Sequence, residues 1–235
     1  MFLLERKKVL IVDDEPDIRD MLSILLASNG YTAVEAKNGV EAVNAVKENH
    51  DFDLVILDVM MPEMDGIDAL REIRKFSNVP ALFLTAKTAE SDKADAYYNG
   101  GDDYLSKPFS QSELLMKVTS LVRRYREYGN SSEHIKNIDS LKSIRIDADR
   151  HIVYKNEVDV GLTDTEYILL NFFIKHRGTP NDAKSIYEAV WQERYLPSAA
   201  NTVMVHILNL RRKIEDDPTQ PEIIKTVWGK GYQID

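Results

Sequence analysis

Five residues carry side chains suited to chemistry at suggestive positions: Asp13, Asp14, Asp58, Thr85 and Lys107. Each closes or follows a short apolar run: Asp13 and Asp14 after residues 9–12, Asp58 after 54–57, Thr85 after 81–84, and Lys107 after a weaker run at 103–105. Three converging carboxylates repel one another. A hard divalent cation such as Mg²⁺ relieves that repulsion through oxygen coordination while keeping waters for a phosphate. An aspartate carboxylate can accept a phosphoryl group as an acyl phosphate. A lysine ammonium then neutralises the transferred oxygens, and a threonine hydroxyl can bond to one of them.

The elements that must position these residues are legible as a repeat of apolar run, turn and helical stretch from Val9 to about Arg126. Ile18, Met21, Leu22 and Leu25 recur at helical spacing, as do Ala42, Val43 and Val46, and Leu114, Val118, Leu121 and Val122. Pro16 suits a first helical turn, Asn29-Gly30 ends that helix, and Ser110 caps the last one. Five apolar or half-apolar strands alternating with helices predict a parallel sheet covered on both faces. Ligands of such sheets sit beyond the carboxyl ends of the strands, and all five residues fall on that edge.

A polar stretch containing Gly129-Asn130-Ser131-Ser132 reads as a linker. The boundaries expected are 1–126 for the first domain, 127–140 for the linker and 141–235 for the second domain. Past the linker the pattern alternates through Ile144, Ile146, Ile152, Val153, Val158 and Val160, a small antiparallel sheet. Thr163 with Glu166 makes a capping box that opens a helix. A shorter helix is expected over residues 183–190 and a longer one over 200–215. Residues 223–234, with Trp228-Gly229-Lys230-Gly231 at their centre, read as a hairpin.

Composition narrows the function classes. The absence of cysteine removes disulfides, thiol nucleophiles and zinc-thiolate sites. The chain shows no secretory signal pattern and no run of about 18 apolar residues, so a cytoplasmic protein that does not engage membrane is expected. The formal charge is −9, divided as −6 through Arg126 and −3 from Glu127 onward. Any nucleic-acid footprint must therefore be a local patch.

Val12-Asp13-Asp14-Glu15, Leu57-Asp58-Val59-Met60-Met61-Pro62 with Asp65-Gly66, Thr85-Ala86, and Asp102-Asp103-Tyr104-Leu105-Ser106-Lys107-Pro108-Phe109 resemble the receiver domain of bacterial two-component response regulators. The resemblance covers residues 6 to 126. It implies a doubly wound α/β fold of strand order 2-1-3-4-5 and Asp58 as acceptor from a histidine kinase phosphohistidine. Asp13, Asp14, Asp58 and the Met60 backbone carbonyl would hold Mg²⁺, or Mn²⁺ in its place. Thr85, Lys107 and Tyr104 would stabilise the phosphoryl group and carry the switch, Tyr104 being the aromatic that turns inward. Haloacid-dehalogenase-like phosphatases also use an Asp after a strand, but with a second Asp two residues on. Position 60 is Met, so a held signal rather than enzymatic turnover is expected.

The second half, with Leu162-Thr163-Asp164-Thr165-Glu166, residues 202–214, Asp216-Asp217-Pro218 and Thr226-Val227-Trp228-Gly229-Lys230-Gly231-Tyr232, resembles the winged-helix effector of the OmpR/PhoB class. By that resemblance a four-stranded sheet precedes the helices, helix 200–215 is the recognition helix, and the hairpin is the wing. Val203, Ile207, Leu210 and Ile214 form the buried stripe of the helix. Thr202, Val205, His206, Asn209, Arg212 and Lys213 form the face expected to meet DNA, with Lys225 or Lys230 reaching phosphates. Many relatives carry an arginine where Trp228 stands.

Relatives of this class dimerise through the fourth helix, fifth strand and fifth helix of the receiver. The matching pairs here are Lys93 with Glu113, Asp102 with Lys117, and Asp103 with Arg124. The whole reads as a response regulator transcription factor that dimerises on phosphorylation and binds promoter DNA with repeated half-sites, with RNA polymerase as a further partner. The alternative is a phosphorylation-responsive protein-interaction module that does not read DNA.

Overall fold

The computed structural model of this 235-residue chain describes residues 7–85, 100–130, 143–147, 152–195 and 199–235. The chain divides into two compact units, Met1–Arg126 and Glu127–Asp235.

In the first unit, β1 (Lys7–Val12), β2 (Tyr31–Ala36), β3 (Leu54–Asp58), β4 (Ala81–Thr85) and β5 (Asp103–Ser106) form one sheet in the order β2-β1-β3-β4-β5. Every pairing is parallel. The strands are almost wholly apolar because both faces are covered. Leu10, Val12, Val55, Leu57, Ala81 and Phe83 pack against Ala42 and Val46 of α2 (Gly39–Glu48) and Ala69, Leu70 and Ile73 of α3 (Gly66–Ile73). The alternate residues Val9, Ile11, Leu54, Ile56, Leu82 and Leu84 meet Leu22 and Leu26 of α1 (Pro16–Ser28) and Leu114, Val118, Leu121 and Val122 of α4 (Gln111–Asn130). This is the period-two alternation of a strand serving two cores.

The helix ends follow local chemistry. Pro16 opens α1, and Gly30, at φ +85°, follows its C-cap. Ser110 and Glu113 bond reciprocally, the Ser110 Oγ accepting from the Glu113 amide at 3.2 Å and the Ser110 amide donating to Glu113 Oε2 at 2.9 Å. The backbone of α4 stays helical to Asn130, so the first four residues of the expected 127–140 linker continue a helix. One glycine inside a long helix costs only about 1 kcal/mol against alanine, too little to stop a helix anchored upstream. The rest of that linker lies outside the described residues.

In the second unit, β6 (Ile144–Asp147), β7 (Ile152–Lys155) and β8 (Val158–Asp159) form an antiparallel sheet. Three strands lie among the described residues where four were expected, and residues 131–142 are outside them. Three helices follow: α5 (Asp164–Lys175), opened by the Thr163–Glu166 capping box, α6 (Ala183–Val190), and α7 (Ala199–Ile214). Their core gathers Leu169, Leu170, Phe173, Ile186, Val203, Ile207, Leu210 and Ile214 around Trp191, which is fully buried and stacks on Tyr187 at 5.2 Å.

The chain closes with the hairpin β9 (Ile224–Val227) and β10 (Gly231–Ile234). Tyr232 and Asn181 exchange two backbone hydrogen bonds of 2.9 Å, tying the hairpin to the segment before α6. Gly231 makes that approach feasible: it sits at φ +110°, and a Cβ there would lie 1.9 Å from the Asn181 carbonyl oxygen. Gly231→Ala is expected to cost about 3 kcal/mol by breaking this bridge and straining the backbone. Gly229→Ala, with open space around its Cβ, should cost about 1 kcal/mol for its left-handed φ alone. Urea unfolding followed by tryptophan fluorescence measures both, and equal losses would contradict the close-approach argument.

Candidate functional site

The parallel order brings the carboxyl ends of β1 and β3 side by side, with Val12 opposite Leu57. Asp13 therefore leaves β1 beside Asp58, the last residue of β3. Both are buried, Asp13 1% and Asp58 6% exposed. Lys107, just past β5, extends its Nζ to Asp13 Oδ2 at 2.8 Å and Asp58 Oδ1 at 2.8 Å. The other oxygens are also engaged: the Met60 amide donates to Asp58 Oδ2 at 2.7 Å, and the Glu15 amide to Asp13 Oδ1 at 3.0 Å.

Burial raises the pKa of Asp58, assisted by the charge of Asp13 and opposed by Lys107 and the Met60 amide. Burial presses Lys107 the other way, but hydrogen bonds and charge from Asp13 and Asp58 outweigh it and hold the ammonium protonated. One ammonium between two carboxylates leaves the formal charge of the cluster net negative. Asp14 is exposed, as is Met60, and among the described residues no three acidic or histidine side chains already converge as a metal site. Of the oxygen donors expected around a metal, the structure brings two together, Asp13 and Asp58, and leaves Asp14 on the rim.

Thr85 ends β4 in register with Ser106 of β5, on the same sheet edge. Tyr104 stands in β5 opposite Phe83 and packs, half-buried, on the α2–α3 side of the sheet.

Two supporting residues escaped sequence reasoning. Arg19 donates to the carbonyls of Asp13, at 2.7 Å, and Asp14, at 3.1 Å, and so holds the loop that carries both carboxylates. A lone cation six residues after Asp13, on the first turns of α1, was the available signal. Gly66 donates to the Val59 carbonyl at 3.1 Å, and a Cβ there would lie 2.1 Å from the Asp58 carbonyl oxygen. The sequence offered Asp65-Gly66 only as part of a motif; the close backbone approach explains it.

The residues expected at a dimer surface behave differently. Lys93 lies outside the described residues. Asp102 is 1% exposed, and its carboxylate takes Arg74 at 3.1 Å and the Ala81 amide at 3.0 Å. Lys117 pairs with Asp103 at 2.6 Å rather than with Asp102. Glu113 is the reciprocal partner of Ser110, and Arg124 is 2% exposed. Within the chain, Asp102 fastens the start of β4 to the end of α3, because a buried carboxylate needs a buried cation and an amide.

The face of α7 expected to meet DNA is also corrected in its exposure. Thr202, Val205, His206 and Asn209 are all buried. His206 packs edge-on against Trp191 at 5.1 Å. Lys213 is engaged by Glu166 at 2.6 Å and the Gly161 carbonyl at 2.7 Å. Arg212 is exposed, as are Lys225, which pairs with Asp235, and Lys230. Arg211, unassigned from sequence, reaches from α7 to the Ile224 carbonyl at 2.6 Å and Thr226 Oγ1 at 2.9 Å.

Comparisons with known proteins agree with this geometry. The family described as "Response regulator receiver domain" matches residues 9–119, and that described as "Transcriptional regulatory protein, C terminal" matches residues 156–234. The chain is 43% identical to the uncharacterized transcriptional regulatory protein YrkP of Bacillus subtilis (strain 168), with 97% of each chain covered. It is 38% identical to the regulatory protein VanRc of Enterococcus gallinarum, covering 97% of this chain and 99% of the relative. Among solved structures, a mutant of the protein RitR matches with a TM-score of 0.80 at 25% identity, covering 97% of this chain and 99% of that one.

The Asp102 contacts give a direct test. Asp102→Ala leaves Arg74, 12% exposed in its side chain, without its carboxylate and is expected to destabilise the receiver by about 3 kcal/mol. A urea titration of the full chain at one low protein concentration checks this. An unchanged midpoint would return Asp102 to the surface role first expected.

Proposed function

The chain belongs to the OmpR/PhoB-type response regulators and is a phosphorylation-dependent transcription factor, and from that premise we propose that Asp58 is its phosphoryl acceptor. The observation that carries this reading is Lys107 Nζ at 2.8 Å from both Asp58 and Asp13. In the reaction the N–P bond of a kinase phosphohistidine breaks, an O–P bond to Asp58 forms, and the imidazole leaves with the electron pair.

This chain's residues do four things in that step. Asp58 presents a desolvated carboxylate, aimed by the Met60 amide at one oxygen and by Lys107 at the other. Lys107 neutralises charge on the transferred oxygens. Thr85 supplies a hydroxyl from the adjacent strand end. Asp13, Asp14 and the Met60 carbonyl join Asp58 in holding Mg²⁺, whose chemistry there is charge neutralisation of the phosphoryl oxygens. The donor set is all oxygen and net negative, which fits a hard cation. With an apolar Met60 where a phosphatase places its second acid, the acyl phosphate is held as a signal.

Output is dimerisation and recognition of repeated half-sites, where two winged helices share one association. Arg212, Lys225 and Lys230 supply exposed cations for phosphates. Base reading by Thr202, Val205, His206 and Asn209 belongs to a state in which these side chains are uncovered. The DNA-free interaction module is not favoured, since the C-terminal family and the similar proteins are transcriptional regulators. Among the described residues no helix is long and apolar enough to cross a membrane, and a cytoplasmic site of action suits the kinase, DNA and RNA polymerase partners.

With acetyl phosphate and Mg²⁺, the full chain should gain one phosphoryl mass by intact-mass spectrometry, and Asp58→Asn should gain none. Gly66→Ala should keep the acceptor but displace its backbone, slowing the gain about tenfold or more. Undiminished labelling of Asp58→Asn would falsify the assignment.

A further inference from the structure

Arg19 is the fourth residue of α1 and half-buried. Its Nη1 donates to two consecutive backbone carbonyls, those of Asp13 at 2.7 Å and Asp14 at 3.1 Å. Its Nε lies 3.5 Å from Oε2 of Glu35 in β2. The segment held in this way begins where the β1–β2 ladder ends: the Asp13 amide donates at 3.3 Å to the carbonyl of Ala36, the last residue of β2. The chain then turns into α1 through Glu15, which has an extended backbone and makes no side-chain cap. Arg19 ties that turn back to β2 through Glu35, next to the residue that takes the Asp13 amide.

The guanidinium meets backbone oxygens and Glu35, while the Asp13 carboxylate goes to Lys107 and the Glu15 amide. Arg19 thus fixes the backbone that carries both acids without neutralising the Asp13 side chain. Its placement has two effects on a cation at that edge, and they have opposite signs. As a positive charge, Arg19 repels the cation. As a clamp on two ligand-bearing residues, it lowers the ordering cost of bringing their oxygens to one ion. Glu35 offsets the first effect by pairing with the guanidinium, so the second prevails.

We propose that Arg19 is a positioning residue for the cation: its bonds to the two carbonyls preorganise Asp13 and Asp14, and Glu35 screens its charge. This rests on the reading of Asp13, Asp14 and Asp58 as the residues that hold Mg²⁺. The opposed signs make the proposal decidable, because a residue acting only through its charge would weaken cation binding, and its removal would strengthen it.

Mn²⁺ serves as the probe, its free concentration read by electron paramagnetic resonance in titrations of the unphosphorylated full chain. Arg19→Met, which keeps an unbranched side chain and loses the charge and the donors, is expected to bind Mn²⁺ about tenfold more weakly than the wild type. Arg19→Lys, with one shorter-reaching nitrogen for two carbonyls and Glu35, should recover part of the loss. Glu35→Gln leaves the carbonyl bonds in place and unscreens the guanidinium, and should weaken binding about twofold. In labelling with acetyl phosphate, Arg19→Met should raise the Mg²⁺ concentration for half-maximal rate by more than it lowers the rate at saturating Mg²⁺, a split that loss of folded protein does not produce. Binding by Arg19→Met as tight as the wild type, or tighter, overturns the proposal and leaves the cation site standing. Absence of Mn²⁺ binding to the wild type, or undiminished binding by Asp13→Asn, overturns both.

Discussion

The receiver is organised around one lysine. Lys107 reaches two carboxylates that come from different strands, and the strand order is what makes this feasible. β1 and β3 are neighbours, so Asp13 and Asp58 emerge side by side; β5 lies two strands from β3, and only a long, flexible cation spans that gap. Two buried carboxylates without it would face a cost of several kcal/mol each. With it, the hydrogen bonds from the Met60 and Glu15 amides complete their partners. The site is thus preorganised by backbone geometry, and Arg19 and Gly66 hold that backbone from two sides.

The second unit solves a related problem with different groups. A recognition helix and a wing can serve one DNA site only if their separation is fixed. Glu215, 4% exposed, accepts three consecutive amides, those of Glu222, Ile223 and Ile224, at the start of the hairpin. Arg211 closes the same junction from one turn earlier. Its guanidinium is engaged by the Ile224 carbonyl and by Thr226 Oγ1.

The sequence made the scaffold readable because the scaffold is made of periodic apolar faces. Strand-end positions for Asp13, Asp58 and Lys107, the Thr163–Glu166 cap, helix 183–190 and the stripe Val203, Ile207, Leu210 and Ile214 all follow from spacing and local capping chemistry. What spacing does not report is which partner a charged side chain takes. Asp102 and Asp103 are adjacent, yet one turns to Arg74 and the other to Lys117. Nor does periodicity reveal that a polar face is covered: Thr202, His206 and Asn209 sit opposite an apolar stripe and are buried nonetheless. The edge-on packing of His206 on Trp191 depends on a residue fifteen positions away, across the α6–α7 connection.

The partner geometry also indicates how a chemical event at Asp58 becomes a structural one. A phosphoryl group brings roughly two negative charges to a pocket whose one ammonium among the described residues is already shared. Lys107 cannot satisfy Asp13, Asp58 and three new oxygens at the distances seen here, so its allegiance must be redistributed. Asp13 then depends on cation charge from elsewhere, which is where Mg²⁺ and the exposed Asp14 enter the proposed reaction. Thr85, proposed above to meet the new oxygens, ends β4, and β4 lies in register with β5 through Phe83 opposite Tyr104. The same strand carries Asp103, already bound to Lys117 of α4. On the proposed reaction, a change of partner at Lys107 would reach the Asp103–Lys117 pair through the same strand, β5, that leads into Lys107.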